Sequence, residues 1–329
     1  MSMHLDSELH RSTGHRPRTT NRDAAHCRDT RPIKIGLVNN MPDSAFGATE
    51  RQFVRLVKEV TPGPVDIQLF HIPGVPRGEA AQIQLHKRYR TIHEMFDLEV
   101  DALIVTGNEP RATRLDEEPY WRELTKMIDW ASETTVTSVW SCLAAHAAVL
   151  HLDGIERRRL QEKVSGVLTC SVAEPTRSGL PATLSVCHSR MNGLSRRELI
   201  GNGYEIVSEA PGGQVDSFTK TLGSRFLFLQ GHPEYDADSL MREYRRDVGR
   251  YLDGTRELYP EMPQGYFDSV TIVRMENYRN MAERNRDIRL FSSFPTAALR
   301  SALEARLADS AKAVFGNWLS AFAASGELA

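Results

Sequence analysis

Cys142 follows the apolar run 136–141 and precedes the small-residue run Leu143-Ala144-Ala145-His146-Ala147-Ala148. The first run reads as a buried strand and the second as the start of a helix. A thiol at a helix N-terminus gains from the helix dipole and from unpaired backbone N–H groups, which favour thiolate over thiol. The same N–H groups can receive a developing oxyanion. A lone cysteine in an apolar run is nonetheless more often a buried filler, so position alone does not settle its role. Gly231-His232-Pro233-Glu234-Tyr235-Asp236 adds what a thiol nucleophile needs. His232 and Glu234 are two apart, so in extended backbone they point the same way, and Pro233 stiffens that geometry. A carboxylate beside an imidazole fixes its tautomer and raises its basicity. His-Pro-Glu alone serves equally well as a helix-entry turn. Together with Cys142 at a strand end, the reading is a Cys142-His232-Glu234 triad for nucleophilic catalysis.

Such a triad needs a scaffold that brings residues 142 and 232 together. Strand-like runs at 32–40, 65–70, 100–105 and 136–141 alternate with helical patterns. One helix is expected from Thr49, with Phe53, Leu56, Val57 and Val60 on one face, and another carries Trp121, Leu124, Ile128 and Ala131. That alternation predicts a mostly parallel sheet flanked by helices, an α/β fold in which ligands bind beyond the carboxyl ends of the strands. After residue 165 short β-like stretches (182–186, 204–207, 225–230) separated by Gly-rich turns predict a β-rich, antiparallel insertion. A polar segment of undefined structure, 253–295, precedes an Ala-rich C-terminal helix from about 296 to 323.

Composition narrows the class. The chain has 329 residues, 40% apolar and 26% charged, with a net charge of −2. No global field favours nucleic acid or an anionic membrane. The basic run Glu156-Arg157-Arg158-Arg159 reads as a solvated helix face. Four cysteines make no disulfide framework, no CxxC pair suggests a metal, and no apolar stretch approaches membrane-spanning length. A reducing cytoplasm is the expected compartment, where a thiol stays reactive. Residues 1–32 read as a disordered leader and 33–329 as a single domain.

Several landmarks in order resemble one family. The strand-Cys142-helix segment and the later Gly-His-Pro-Glu look like the class I glutamine amidotransferase fold. Within it, Asn40-Met41-Pro42, Thr106-Gly107, 162–167 (Glu-Lys-Val-Ser-Gly-Val), His188-Ser189-Arg190, 231–237 and Arg246-Asp247 resemble the homoserine O-succinyltransferase/O-acetyltransferase family, with a weaker echo at Asn317-Trp318-Leu319. The resemblance implies ping-pong transfer of an acyl group from acyl-CoA, a co-substrate and not a cofactor, through a Cys142 thioester to homoserine, in methionine biosynthesis. It implies His232 as base, Glu234 as its orienter, the Leu143 N–H in the oxyanion hole, and Lys163, Ser189 and Arg246 as binders of the amino acid. It also implies a homodimer.

Departures from the pattern bear on specificity. Leu143 replaces the family's usual aromatic residue after the cysteine, and His146, one helical turn from Cys142, replaces a Gln; it is expected to pack or hydrogen-bond locally, a second titrating group being the alternative. The family's acyl discriminator falls at Arg111 by ungapped counting, or at Ala112 with a one-residue slip. Arg111 would pair with a succinyl carboxylate, so succinyl-CoA is expected over acetyl-CoA. Serine as acceptor stays open, because one methylene is worth only about 1–3 kcal/mol. A glutaminase and a non-catalytic thiol sensor are the competing readings of this fold.

Overall fold

The computed structural model describes residues 31–296 and 301–324. The leader expected at 1–32 falls outside them except for Arg31, which is ion-paired to Asp101 at 2.9 Å, and Pro32. In chain order the elements are β1 (Ile33–Val38), α1 (Asp43–Val60), β2 (Val65–His71), α2 (Glu79–Arg88), β3 (Arg90–Thr91), α3 (Ile92–Met95), β4 (Ala102–Val105), α4 (Trp121–Thr134), β5 (Thr137–Ser141) and α5 (Leu143–Asp153). There follow β6 (Arg158–Val172), α6 (Pro175–Ser178), β7 (Thr183–Gly193), α7 (Arg196–Gly201), β8 (Glu205–Ala210), β9 (Gln214–Thr221), β10 (Arg225–Leu229), α8 (Ser239–Leu252), α9 (Ser269–Arg284) and α10 (Ser301–Ala324).

Among the described residues the strands form one ten-stranded sheet, ordered β3-β2-β1-β4-β5-β10-β9-β8-β6-β7. The first six are parallel and the last four join antiparallel. Every residue of β4 and β5 is buried, as expected of parallel strands covered on both faces. One face packs Ile35, Leu37 and Ile104 against Phe53 and Leu56 of α1 and Phe315 and Trp318 of α10. The other packs Leu103, Val105 and Trp140 against Leu124 and Ile128 of α4 and the alanines of α5. Strand order reverses on either side of β1. The chain therefore leaves β1, β4, β5 and β10 at one edge, beside the switch point where such sheets form their crevice.

Three sequence expectations need correction. Helix α1 begins at Asp43, not Thr49, because the Pro42 carbonyl accepts from the N–H groups of Ala45 and Phe46, both at 2.9 Å. The antiparallel part is far more than short stretches. β6 runs 15 residues and pairs along most of the 11 of β7. The segment read as polar and undefined carries α9, and its Tyr259, Tyr266, Phe267, Met275 and Phe294 make a third apolar cluster with Leu240, Tyr244 and Val248 of α8.

That C-terminal segment is stitched to β6 at Gly166. Val167 N–H donates to the Gln264 carbonyl at 2.8 Å, and Gln264 N–H donates to Ser165 at 2.9 Å. Gly166 has φ +146°, and a Cβ there would lie 2.3 Å from the Gln264 carbonyl oxygen. Backbone cannot yield as a flexible side chain can. Gly166→Ala should therefore destabilise the protein by about 2 kcal/mol or more, read as a drop of several degrees in thermal midpoint. An unchanged midpoint would show that this stitch carries no stability.

Candidate functional site

The carboxyl ends of β1, β4, β5 and β10 deliver Met41, Gly107, Cys142 and His232 to one crevice. Asn40 N–H donates to Thr106 Oγ1 at 2.8 Å and its side-chain amide to the Thr106 carbonyl at 3.4 Å, which ties two of the sequence landmarks together. Cys142 sits between β5 and α5 with φ 52° and ψ −110°, the one non-glycine residue with positive φ among the described residues. Such a turn is strained for a side-chain-bearing residue and holds the side chain out from the sheet edge. Its N–H donates to the Leu229 carbonyl at 2.7 Å, fixing the turn to β10. Leu143, the first residue of α5, has an N–H with no partner inside the helix. Gly107 closes over that N–H so tightly that a Cβ would stand 3.0 Å from it.

His232 and Glu234 are 5% and 4% exposed, and His232 Nδ1 meets Glu234 Oε1 at 2.8 Å. They meet through a turn, not the extended backbone expected from their spacing: Tyr235 N–H returns to the His232 carbonyl at 3.3 Å. The His232 N–H donates to the Cys187 carbonyl of β7 at 2.7 Å, so the antiparallel extension sets the height of the imidazole. Gly231 permits this approach, since a Cβ there would press within 2.5 Å of Val186 and 2.7 Å of Asp216. The Tyr235 ring stacks on the imidazole with centroids 4.3 Å apart. Burial opposes a charged imidazole. The Glu234 carboxylate and the nearby Cys142 sulfur outweigh that and hold the His232 pKa well above its ordinary value.

These groups open into a cavity of about 800 Å³ that is also lined by Leu143, His146, Lys163, Ser189 and Arg246. Lys163 Nζ lies 3.1 Å from Asp247 Oδ2, while Arg246 Nε and a terminal nitrogen lie 3.0 and 2.9 Å from Asp247 Oδ1. Burial of Asp247 favours its neutral form, but Lys163 and Arg246 overcome this and hold its pKa down. Two cations sharing one carboxylate leave a net positive charge facing the cavity. Ser189 donates to Glu243, which also accepts from the Tyr235 hydroxyl at 2.6 Å. His146 is buried, bonded to Gln230 Oε1 at 3.0 Å, and depressed by that burial to about 4, so it is neutral and bonds locally as expected.

Arg111 is not brought to this site. It is exposed and lines a neighbouring groove with Asp43, Glu109 and Arg250, whereas Ala112 lines the Cys142 cavity. The cause is Glu118, whose Oε1 accepts the N–H groups of both Arg111 and Ala112, at 2.6 and 2.8 Å. That pins the turn with position 112 inward.

Sequence reasoning also missed residues that shape the site. Tyr235 and Asp247 lay inside quoted landmarks but were assigned no role. Glu243 is three residues before Arg246 on α8, the spacing that shares a helix face. The basic run at 156–159 is no helix face. Arg158 and Arg159 open β6, and Arg157 and Arg159 line the cavity. Behind it, Arg190 is buried and donates to His188 Nδ1, the Asn192 carbonyl and Gln214 Oε1 at 3.3, 2.9 and 2.7 Å. His188 Nε2 in turn meets Asp216 Oδ1 at 3.1 Å. With Cys170 this is the one group of three potential metal ligands among the described residues, their donor atoms within 4.8 Å. In the structure His188 and Asp216 are engaged with each other, and Arg190 and Ser208 bond to them.

Comparison with known proteins agrees with this geometry. The homoserine O-succinyltransferase family model matches residues 14–326. The homoserine O-succinyltransferase of Rhodopseudomonas palustris is 46% identical over 303 residues, covering 89% of this chain and 91% of the relative. That of Methylorubrum extorquens is 44% identical over 292 residues, covering 88% and 87%. Among solved structures, a glutamine amidotransferase from Methylobacillus flagellatus aligns with TM-score 0.49 and 16% identity, covering 89% of this chain and 95% of its own. A sheet whose switch-point crevice brings together Cys142, His232 and Glu234, in a chain matched along nearly all its length by the family model and by these two curated relatives, marks the chain as a member of the homoserine O-succinyltransferase family.

Proposed function

We propose that the protein transfers a succinyl group from succinyl-CoA to the side-chain hydroxyl of homoserine, in two half-reactions through a Cys142 thioester. The observation that carries this reading is the buried His232–Glu234 pair, whose imidazole lines the same cavity as Cys142 at the mouth of α5. In the first half-reaction the Cys142 thiolate attacks the thioester carbonyl of the donor. The carbonyl oxygen becomes an oxyanion facing the Leu143 N–H. On collapse the C–S bond to CoA breaks, and the leaving sulfur takes the proton from the His232 imidazolium. In the second, neutral His232 takes the proton of the homoserine hydroxyl as its oxygen attacks the acyl carbonyl, and Cys142 leaves as thiolate. Thiolate and imidazolium are thereby restored, and no redox or metal step is needed.

The acceptor is a zwitterion. The cationic Arg246–Lys163 pair suits its carboxylate, and Glu243, held by Ser189 and Tyr235, suits its ammonium group. The succinyl donor is supported by the names of the relatives and by the cations around the cavity. The product is an activated amino acid ester of the kind consumed in methionine biosynthesis. Cys142, Cys170 and Cys187 are all free thiols, in keeping with a reducing cytoplasm.

Cys142→Ala should abolish transfer while leaving the thermal midpoint near wild type, since a small residue at that turn adds no bulk. Wild-type protein mixed with succinyl-CoA alone should release one CoA per site and gain a succinyl mass on Cys142. Turnover by Cys142→Ala, or ammonia release from glutamine by the wild type, would overturn the reading.

Glu234→Gln keeps the shape but removes the charge that raises the imidazole's pKa, so His232 should titrate lower. The imidazolium that accompanies the thiolate is then less populated at pH 7. Iodoacetamide labelling of Cys142 should slow severalfold and kcat should fall by about 10²–10⁴, with the homoserine KM little changed. A rise confined to that KM would make Glu234 a binding residue.

Arg246→Lys keeps the charge but loses the planar fork. The homoserine KM should rise about tenfold or more while the first CoA release is spared. Equal damage to both half-reactions would place Arg246 on the donor.

A further inference from the structure

We propose that Arg157 selects the donor, its guanidinium receiving the distal carboxylate of a dicarboxylic acyl group while the carbonyl end is carried on Cys142. This rests on the succinyl reading above and names the residue that produces it.

The cations lining the cavity are mostly committed. Arg246 and Lys163 share Asp247. Arg114 is paired with Asp116 at 2.7 Å and lies 3.6 Å from Glu156. All three nitrogens of Arg190 donate within the protein. Arg159 is exposed at the rim, where solvent screens its charge.

Arg157 differs. It comes from the short connection between α5 and β6, is half-buried, and makes no ion pair among the described residues. One terminal nitrogen has only a 3.4 Å contact with the Thr113 carbonyl. The other, Nη1, is buried without any hydrogen-bond partner. A guanidinium nitrogen in that state is costly unless an acceptor arrives. Burial lowers the Arg157 pKa, and the charges that act back on it are those of Glu118, Tyr120 and Cys142. So the group lies within electrostatic reach of the catalytic sulfur.

Glu118 does not neutralise it. Its Oε1 is held by the N–H groups of Arg111 and Ala112, and its Oε2 is buried without a partner. A carboxylate pinned this way biases the guanidinium's position without closing on it. Arg246 answers to a different set of charges, Asp247, Glu243 and Glu109. Acceptor carboxylate and acyl carboxylate would thus be read by separate cations.

The test compares succinyl-CoA with butyryl-CoA, which has the same four carbons and no distal carboxylate, following CoA release with homoserine in excess. Arg157→Gln should lower kcat/KM for succinyl-CoA by about 100-fold and change that for butyryl-CoA by less than about threefold. Arg157→Lys, which keeps the charge, should lose about tenfold on succinyl-CoA alone. Retained butyryl transfer reports that the variants are folded. If both donors fall together, if the homoserine KM rises instead, or if succinyl transfer is untouched, the assignment is wrong. A wild type that transfers butyryl but no succinyl group would sink the donor reading itself, before any variant is made.

Discussion

The contact on which the rest of the site depends is the 2.8 Å bond between His232 Nδ1 and Glu234 Oε1. Both groups are nearly sealed from solvent, where an unpaired carboxylate or imidazolium would be expensive. Glu234 Oε2 has no hydrogen-bond partner, so the carboxylate's one protein hydrogen bond is spent on the imidazole. Its charge is therefore directed at a single ring nitrogen, leaving the other available to the site. Much of the nearby backbone serves this contact. Gly231 lets the loop press against β7, Cys187 takes the His232 N–H, and Tyr235 stacks on the ring.

Around that pair the protein manages charge by sharing or pinning carboxylates. Asp247 is divided between Lys163 and Arg246, leaving excess positive charge. Glu243 beside it is held by two hydroxyls. Asp216 meets His188, and the cation of Arg190 completes that buried relay; burial raises the Asp216 pKa, but His188, Ser208 and Arg190 together keep it low. Each arrangement satisfies a buried or half-buried acid with donors while leaving something polar turned toward the cavity. Preorganised dipoles and charges of this sort need no rearrangement as the reaction proceeds.

The parallel half of the fold was legible because its signals are strong. β1, β4 and β5 are dense in buried β-branched and aliphatic residues, and α4 repeats its apolar positions at helical spacing. The grouping of Cys142, His232 and Glu234 was legible because its residue types and strand-end positions agree. β6 was invisible because Arg-Arg-Leu-Gln-Glu-Lys mixes exposed charges into a strand with a register shift between Arg159 and Val164. α9 was missed because its apolar residues do not gather on one face: Val270 and Val273 are exposed while Met275 and Tyr278 are buried. Arg157 was hidden for another reason. Nothing local separates it from Arg158 and Arg159, and only the tertiary fold turns one of the three inward.

The same limit explains the placement of Arg111. Counting along the chain locates a position to within one residue, but in a tight turn one residue exchanges the inner side for the outer. Glu118 decides the matter from seven residues away by taking two successive N–H groups, a choice that no local propensity encodes. On the proposed reading, specificity in this site comes from two constraints acting together: a pinned loop that presents the small Ala112 to the cavity, and a guanidinium lining the same cavity whose charge the same glutamate leaves unneutralised. A small side chain alone would admit acetyl and succinyl groups alike. A cation without the space would have no anion to meet.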